Sequence, residues 1–146
     1  MATYESSIAV AATPESVWRD LAAVADWPEW LPTVLRVEPL AGRPLAVGAR
    51  YRILQPKLRP GVWVVTRVEP PRRFTWESRS PGMLVVADHL IEATAPGIST
   101  VVLRVAFSGL VGIALGRVFR SITQRYLVQE AAALKARVEA GAARGA

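Results

Sequence analysis

The sequence has no cysteine and a single histidine, His89. The first absence removes disulfides and thiol chemistry. Together they make a zinc site unsupportable, since zinc needs three or four His, Cys or carboxylate ligands. No metal and no cofactor is therefore expected. Lysine is also scarce, with only Lys57 and Lys135, so the net charge of +6 is carried by arginine. No apolar run approaches the roughly 20 residues a membrane-spanning helix needs. Leu110 to Leu115 is short and is interrupted by Gly112. The start, Met1-Ala2-Thr3-Tyr4-Glu5, lacks the basic and apolar regions of a signal peptide, so a cytoplasmic location is expected. Gly109, Gly112 and Gly116 precede no Lys-Ser or Lys-Thr pair, and there is no Gly-x-Ser-x-Gly elbow.

What is present is apolar bulk. Of 146 residues, 51% are hydrophobic and five are tryptophan, enough for one domain, 1–146, with a real core. The arginines are scattered rather than gathered into a run interleaved with aromatics. They read as a solvated basic surface, and no nucleic-acid partner is expected.

Turn signals divide the chain. Tyr4 to Ala11 alternates weakly and reads as a strand. Further strands are read at Thr33 to Leu40, Ala49 to Gln55, Val62 to Glu69, Phe74 to Ser78, Met83 to Thr94 and Ser99 to Ser108. Ala41-Gly42-Arg43-Pro44, Pro70-Pro71, Ser80-Pro81-Gly82 and Ala95-Pro96-Gly97 separate them. This spacing predicts an antiparallel meander. From Leu110 to Ala140 the pattern is helical, with Leu115, Val118, Phe119, Ile122 and Tyr126 as the expected apolar stripe. Leu110 to Leu115 is expected to pack under the sheet, and 141–146 to fray.

Between the first two strands lies Ala11-Ala12-Thr13-Pro14-Glu15-Ser16-Val17-Trp18-Arg19-Asp20-Leu21. Thr13 suits an N-cap and Pro14 the first helical position, where a missing N–H costs nothing. Val17, Trp18 and Leu21 then share a face over a helix from Thr13 to Ala25. Trp27-Pro28-Glu29-Trp30 follows, and Pro28 and Pro32 limit it to a short second helix. This order resembles the START-like (SRPBCC or Bet v 1-like) superfamily, especially its polyketide cyclase/dehydrase branch, over nearly the whole chain. The resemblance implies an α+β helix-grip fold: a curved antiparallel sheet of about seven strands, in β-α-α-β6-α order, wrapped around a long C-terminal helix and an apolar cavity. It places Trp27 and Trp30 near the open end of the grip.

Period-two alternation assigns the faces. Val101, Leu103, Val105 and Phe107 are expected to point inward, as are Met83, Val85, Ala87, His89 and Ile91, while Asp88 and Glu92 point out. Consistency between these two strands requires a three- or five-residue turn at Pro96-Gly97. A two-residue turn would place His89 on the face of Arg104. Phe74, Trp76 and Ser78 are also read as inward, together with Val64, Thr66 and Val68, and with Tyr51, Ile53 and Gln55. Trp63 and Arg67 are read as outward.

The expected interior is apolar and aromatic with a few polar groups, as small-molecule pockets are. Two functions follow. The first is binding of a hydrophobic small molecule, polyketide-, isoprenoid- or lipid-like, by Trp27, Trp30, Tyr51, Gln55, Thr66, Trp76, Ser78, His89 and Phe107. The second, which the family resemblance suggests, is a polyketide cyclase or aromatase, with His89 as general acid/base and Tyr51 or Gln55 stabilising an enolate. His89 packed as a neutral imidazole, Tyr51 as core and Gln55 as a strand-end amide are the structural alternatives. A third reading is an accessory partner in a larger complex, using an exposed Trp63 and Val65 face of the sheet; a homodimer is also among the expected partners.

Overall fold

The computed structural model describes residues 1–144. Seven strands form one antiparallel, open, curved sheet: β1 Ala2–Val10, β2 Arg36–Ala41, β3 Arg50–Leu54, β4 Gly61–Glu69, β5 Arg73–Ser80, β6 Met83–Ala95 and β7 Ile98–Ser108. Their spatial order is β1-β7-β6-β5-β4-β3-β2. Strands β2 to β7 thus form the expected meander, and β1 pairs with β7 at one edge. Helix α1, Pro14–Ala22, follows β1 and leads into a 3-10 helix, Val24–Glu29. The Thr13 Oγ1 accepts from the Ser16 N–H at 3.3 Å, which caps α1 as the sequence implies.

The C-terminal segment is two helices and not one: α2, Leu110–Val118, and α3, Arg120–Arg144. Phe119 leaves the helical path, and its N–H closes α2 on the Leu115 carbonyl. The break moves the apolar stripe. Val118 is 74% and Phe119 41% exposed, and α3 instead buries Leu127, Ala131, Leu134 and Val138. Leu110, expected beneath the sheet, is 90% exposed. The glycines make the contact there: a Cβ on Gly116 would lie 3.0 Å from Phe107, and one on Gly112 3.1 Å from Met83. The Tyr4 hydroxyl also donates to the Gly116 carbonyl at 2.9 Å. The segment expected to fray is helical as far as Arg144, and the last two positions lie outside the described residues.

Two β-bulges decide which side chains face α3. The β6–β7 turn is the two-residue Pro96-Gly97, which alone would misalign the faces. An irregularity between Ala93 and Ala95 adds one residue, Thr94, and restores the parity, so His89 pairs with Leu103 and Asp88 with Arg104. In β4 a second irregularity, between Val65 and Arg67, has the opposite consequence. Val65 pairs with Trp76 and is 1% exposed, whereas Thr66 is exposed. The assignment of Val64 and Thr66 as inward is thereby corrected, and so is that of Trp63 as outward. The Trp63 ring lies 5.6 Å from Trp76 on the inner side. Trp63 and Val65 therefore offer no outer face for the partner complex expected there. Beyond the bulge Val68 pairs with Phe74 and returns inward, as expected.

The core lies between the sheet and the layer of α1, the 3-10 helix and α3, and includes Val17, Leu21, Trp27, Phe74, Ile91, Val101 and Leu134. The outer face is polar. Asp88 accepts from Arg73 at 2.8 Å and from Thr75 at 2.5 Å, and Arg104 pairs with Glu5 at 2.9 Å. The bulge in β4 sets a measurable contrast. Val65→Ala should lower unfolding stability by about 2 kcal/mol, from lost burial. Thr66→Ala should cost under about 1 kcal/mol, for one partly exposed hydrogen bond. Urea denaturation checks both.

Candidate functional site

An aromatic cage covers the inner face of β5 and β6. His89 stacks on Phe74 with ring centroids 4.0 Å apart and planes at 12°. Trp76 stands edge-on to His89 at 5.6 Å, and Trp27 lies across both, 5.3 Å from Trp76 and 5.9 Å from His89. Tyr51 flanks Trp76 at 6.0 Å. Two of these side chains have their polar atoms bonded to the backbone. The Trp27 indole N–H donates to the Leu21 carbonyl at 3.0 Å, and the Tyr51 hydroxyl accepts from the Leu45 N–H at 2.8 Å.

His89 Nδ1 lies 3.2 Å from the Phe74 carbonyl oxygen. A carbonyl only accepts, so Nδ1 carries the proton and Nε2 the lone pair. Burial lowers the imidazole pKa to about 4, against the raising effects of that hydrogen bond and of Asp88. His89 is therefore neutral at pH 7. Among the described residues, no fully buried side-chain nitrogen or oxygen lacks a partner. Nε2, which has none, must then face open space. That space is a cleft of about 10 Å³ lined by Leu21, Trp27, Trp30, Leu31, His89, Leu103, Glu130 and Leu134. As it stands it has room for about one water molecule.

Glu130, on α3, is the residue that sequence reasoning missed. It falls within the stripe of Leu127 and Leu134, and its carboxyl faces the cleft. The Thr33 hydroxyl donates to its Oε1 at 3.1 Å. Burial pushes the Glu130 pKa up to about 7, and the Thr33 hydrogen bond only partly opposes this. The residue retains some solvent contact.

The structure therefore gathers Trp27, Tyr51, Trp76 and His89, with Trp30 at the cleft, and separates the other expected residues. Thr66 is exposed, and its hydroxyl donates to the Thr75 carbonyl, because the bulge turns it away. Phe107 lies under α2, beside Tyr4 at 6.2 Å. Gln55 lies just past the end of β3, where its carbonyl accepts from the Leu58 N–H at 3.2 Å. Ser78 is partly buried toward the end of β5, opposite Val85. None of these four lines the cleft.

With this geometry in view, the comparison with known proteins is informative. Residues 1–139 match the model of a family described as polyketide cyclase / dehydrase and lipid transport. The chain belongs to this family. Among curated proteins none matches it by sequence. The di-domain aromatase/cyclase BexL, from the BE-7585A biosynthetic pathway, is 25% identical over 95% of the chain, with a TM-score of 0.69. The chain spans 47% of that protein, about half its length. The Zhui aromatase/cyclase of Streptomyces sp. R1128 is 18% identical, covering 94% of this chain and 93% of its own, with a TM-score of 0.75. A norcoclaurine synthase point mutant of Thalictrum flavum, solved with a transition-state analogue, is 13% identical at a TM-score of 0.74, covering 93% and 92%. The last two show the shared fold. Among the described residues no helix is long and apolar enough to cross a membrane, and no cluster of metal-ligating residues occurs.

His89 and Glu130 make opposed contributions to stability. His89 titrates at about 4 when folded and about 6.5 when unfolded, so its contribution is full above 6.5 and is lost as pH falls toward 4. Glu130 titrates at about 7 when folded and 4.5 when unfolded, so its contribution is full below 4.5 and is lost as pH rises toward 7. Between these limits the two largely cancel. Glu130→Gln should expose a fall in stability on acidification, and His89→Phe a fall on alkalinisation. Urea unfolding of both variants from pH 4 to 8 measures the two slopes.

Proposed function

We propose that this chain binds a hydrophobic small molecule, polyketide-, isoprenoid- or lipid-like, between the inner face of the sheet and α3. The observation that carries this reading is the cleft itself. Trp27, Trp30, Leu21, Leu31, Leu103 and Leu134 surround two polar groups, the His89 imidazole and the Glu130 carboxyl. Apolar walls with a few converging polar groups are what a ligand site needs. Family membership favours the same class of guest.

A guest of drug size needs roughly 300 Å³ or more, so it must part the walls. The two sides of the cleft are unequally fastened. Helix α3 is tied to β1 by Gln124 on the Glu5 carbonyl and Lys135 on the Ala9 carbonyl, and to the residue after β1 by Glu139 on the Ala11 N–H. The Trp27–Thr33 side is joined to α3 by the single Thr33–Glu130 hydrogen bond among the described residues. The segment from Trp27 to Thr33 is therefore the wall that yields. Affinity arises as the ligand replaces Trp30 and Leu31 contacts with its own apolar surface, at about 25 cal/mol per Å² before ordering costs.

A cyclase or aromatase is the second reading, because two titratable groups, His89 and Glu130, face one space. A neutral imidazole with a pKa of about 4 is a weak base, so His89 serves better as a hydrogen-bond acceptor than as the general base.

The test uses N-phenyl-1-naphthylamine, a neutral apolar fluorophore, together with native mass spectrometry of protein purified from cells. Saturable one-to-one binding, displaced by organic extract of the purified protein, is expected. Trp30→Ala should weaken it about tenfold. An absence of saturable binding, or binding indifferent to Trp30→Ala, would contradict the reading.

A further inference from the structure

Glu130 differs from every other acidic group in an ion pair or at the surface. It is the one acidic side chain of the cleft, and none of the ion pairs among the described residues includes it. Of the α3 cations, Lys135 pairs with Glu139 at 2.6 Å and Arg137 with Asp20 at 3.6 Å, while Arg125, beside Tyr126, is exposed and makes no ion pair with Glu130. What faces Glu130 from the packed elements is otherwise apolar or neutral. Leu21 comes from α1, Trp27, Trp30 and Leu31 from the 3-10 helix and the turn after it, and Leu103 from β7. The titratable neighbours are His89 across the cleft and Tyr126 one turn earlier on α3. A carboxyl placed this way, with no cation to balance it, is more stable protonated.

Thr33 engages only Oε1, which leaves the second oxygen of this cleft-lining carboxyl without a protein partner. His89 lines the same cleft, and its Nε2 offers a lone pair and no proton. The cleft thus presents one donor and one acceptor inside aromatic walls.

We infer that Glu130, oriented by Thr33, is the polar anchor of this cleft, and that its carboxylic O–H donates to the carbonyl oxygen of an otherwise apolar ligand. This rests on the ligand-binding reading and narrows its chemistry. A hydroxyl beside that carbonyl finds its acceptor in His89 Nε2, so hydroxyketones and enolised diketones satisfy both groups. An aliphatic ammonium would instead require Glu130 ionised.

Two neutral probes of one shape separate the outcomes: 2-acetylnaphthalene, with a carbonyl, and 2-isopropenylnaphthalene, with a methylene in its place. Both are titrated by calorimetry into the full chain near pH 5.5 and near pH 8.5. The ketone should bind about tenfold more tightly at the lower pH, because ionisation removes the donor and sets a carboxylate against the carbonyl. The hydrocarbon should show a smaller pH dependence, limited to the cost of covering the ionised carboxylate. Glu130→Gln keeps a donor that does not titrate, so ketone binding should persist and lose its pH dependence. Glu130→Leu should keep hydrocarbon binding and abolish the preference for the ketone. Identical pH profiles for the two probes, or a ketone profile unchanged in Glu130→Gln, would overturn the anchor and leave ligand binding standing. Tighter binding of 2-naphthylmethylammonium at the higher pH would assign the cleft to cations and overturn it likewise. Failure of both neutral probes at both pH values would overturn the ligand-binding reading and the anchor with it.

Discussion

The hydrogen bond from Thr33 to Glu130 closes the space between the tryptophan-bearing turn and the long helix. Everything proposed for the interior depends on it. It brings a carboxyl into an apolar enclosure and keeps one of its oxygens occupied. It also forms a seam that is weak beside the rest of the packing. A neutral hydrogen bond contributes about 1 kcal/mol net, and the turn on one side carries Trp27 and Trp30. Helix α3 is pinned to β1 and the residue after it by three polar contacts, to α1 by Arg137–Asp20 and to the Pro56 carbonyl by Tyr126, but to the Trp27–Thr33 segment by one, which makes that segment the direction of opening.

Inside the enclosure, burial acts on both titratable groups in the same physical way and with opposite consequences for charge. Loss of solvent disfavours the charged form of each, so the imidazole pKa falls and the carboxyl pKa rises. Both are driven toward neutrality. The result is an uncharged imidazole stacked among Trp27, Phe74 and Trp76, and a carboxyl that keeps its proton far above the usual carboxylate range. The outer face shows the contrast. Burial alone would raise the Asp88 pKa, but hydrogen bonds from Thr75 and Arg73 and the charge of Arg73 outweigh it and lower the pKa. One sheet thus carries a charged face and a neutral one, and neighbouring residues 88 and 89 lie on opposite sides of it.

Much of this was legible in the sequence. The order of elements, the Thr13 cap, and the inward set Val101, Leu103, His89, Ile91, Phe74, Trp76, Tyr51 and Ile53 follow from period-two patterning and turn chemistry. The bulges were not legible, because an inserted residue leaves no mark in composition. At Thr94 the bulge compensated for a two-residue turn and preserved the face of His89. At Thr66 nothing compensated, and Trp63 and Val65 exchanged sides with Val64 and Thr66. The division at Phe119 was hidden as well, since neither glycine nor proline marks it, and the expected stripe was carried across it in the wrong phase. Glu130 did leave a signal. It lies three residues after Leu127 and four before Leu134, a lone carboxylate within an apolar helical face. The break at Phe119 concealed which face that was.

The account's central claim is that the space between the Trp27–Thr33 turn and α3 opens to admit an apolar guest. Nuclear magnetic resonance of the uniformly labelled chain, titrated with N-phenyl-1-naphthylamine, tests it most directly. Intermolecular contacts are expected from the probe to the Trp27 and Trp30 indoles, the His89 ring and the Leu134 methyls, with the Thr33 hydroxyl released from Glu130. Contacts confined to the exposed Leu110 and Val118 of α2, with the indole signals unmoved, would contradict it.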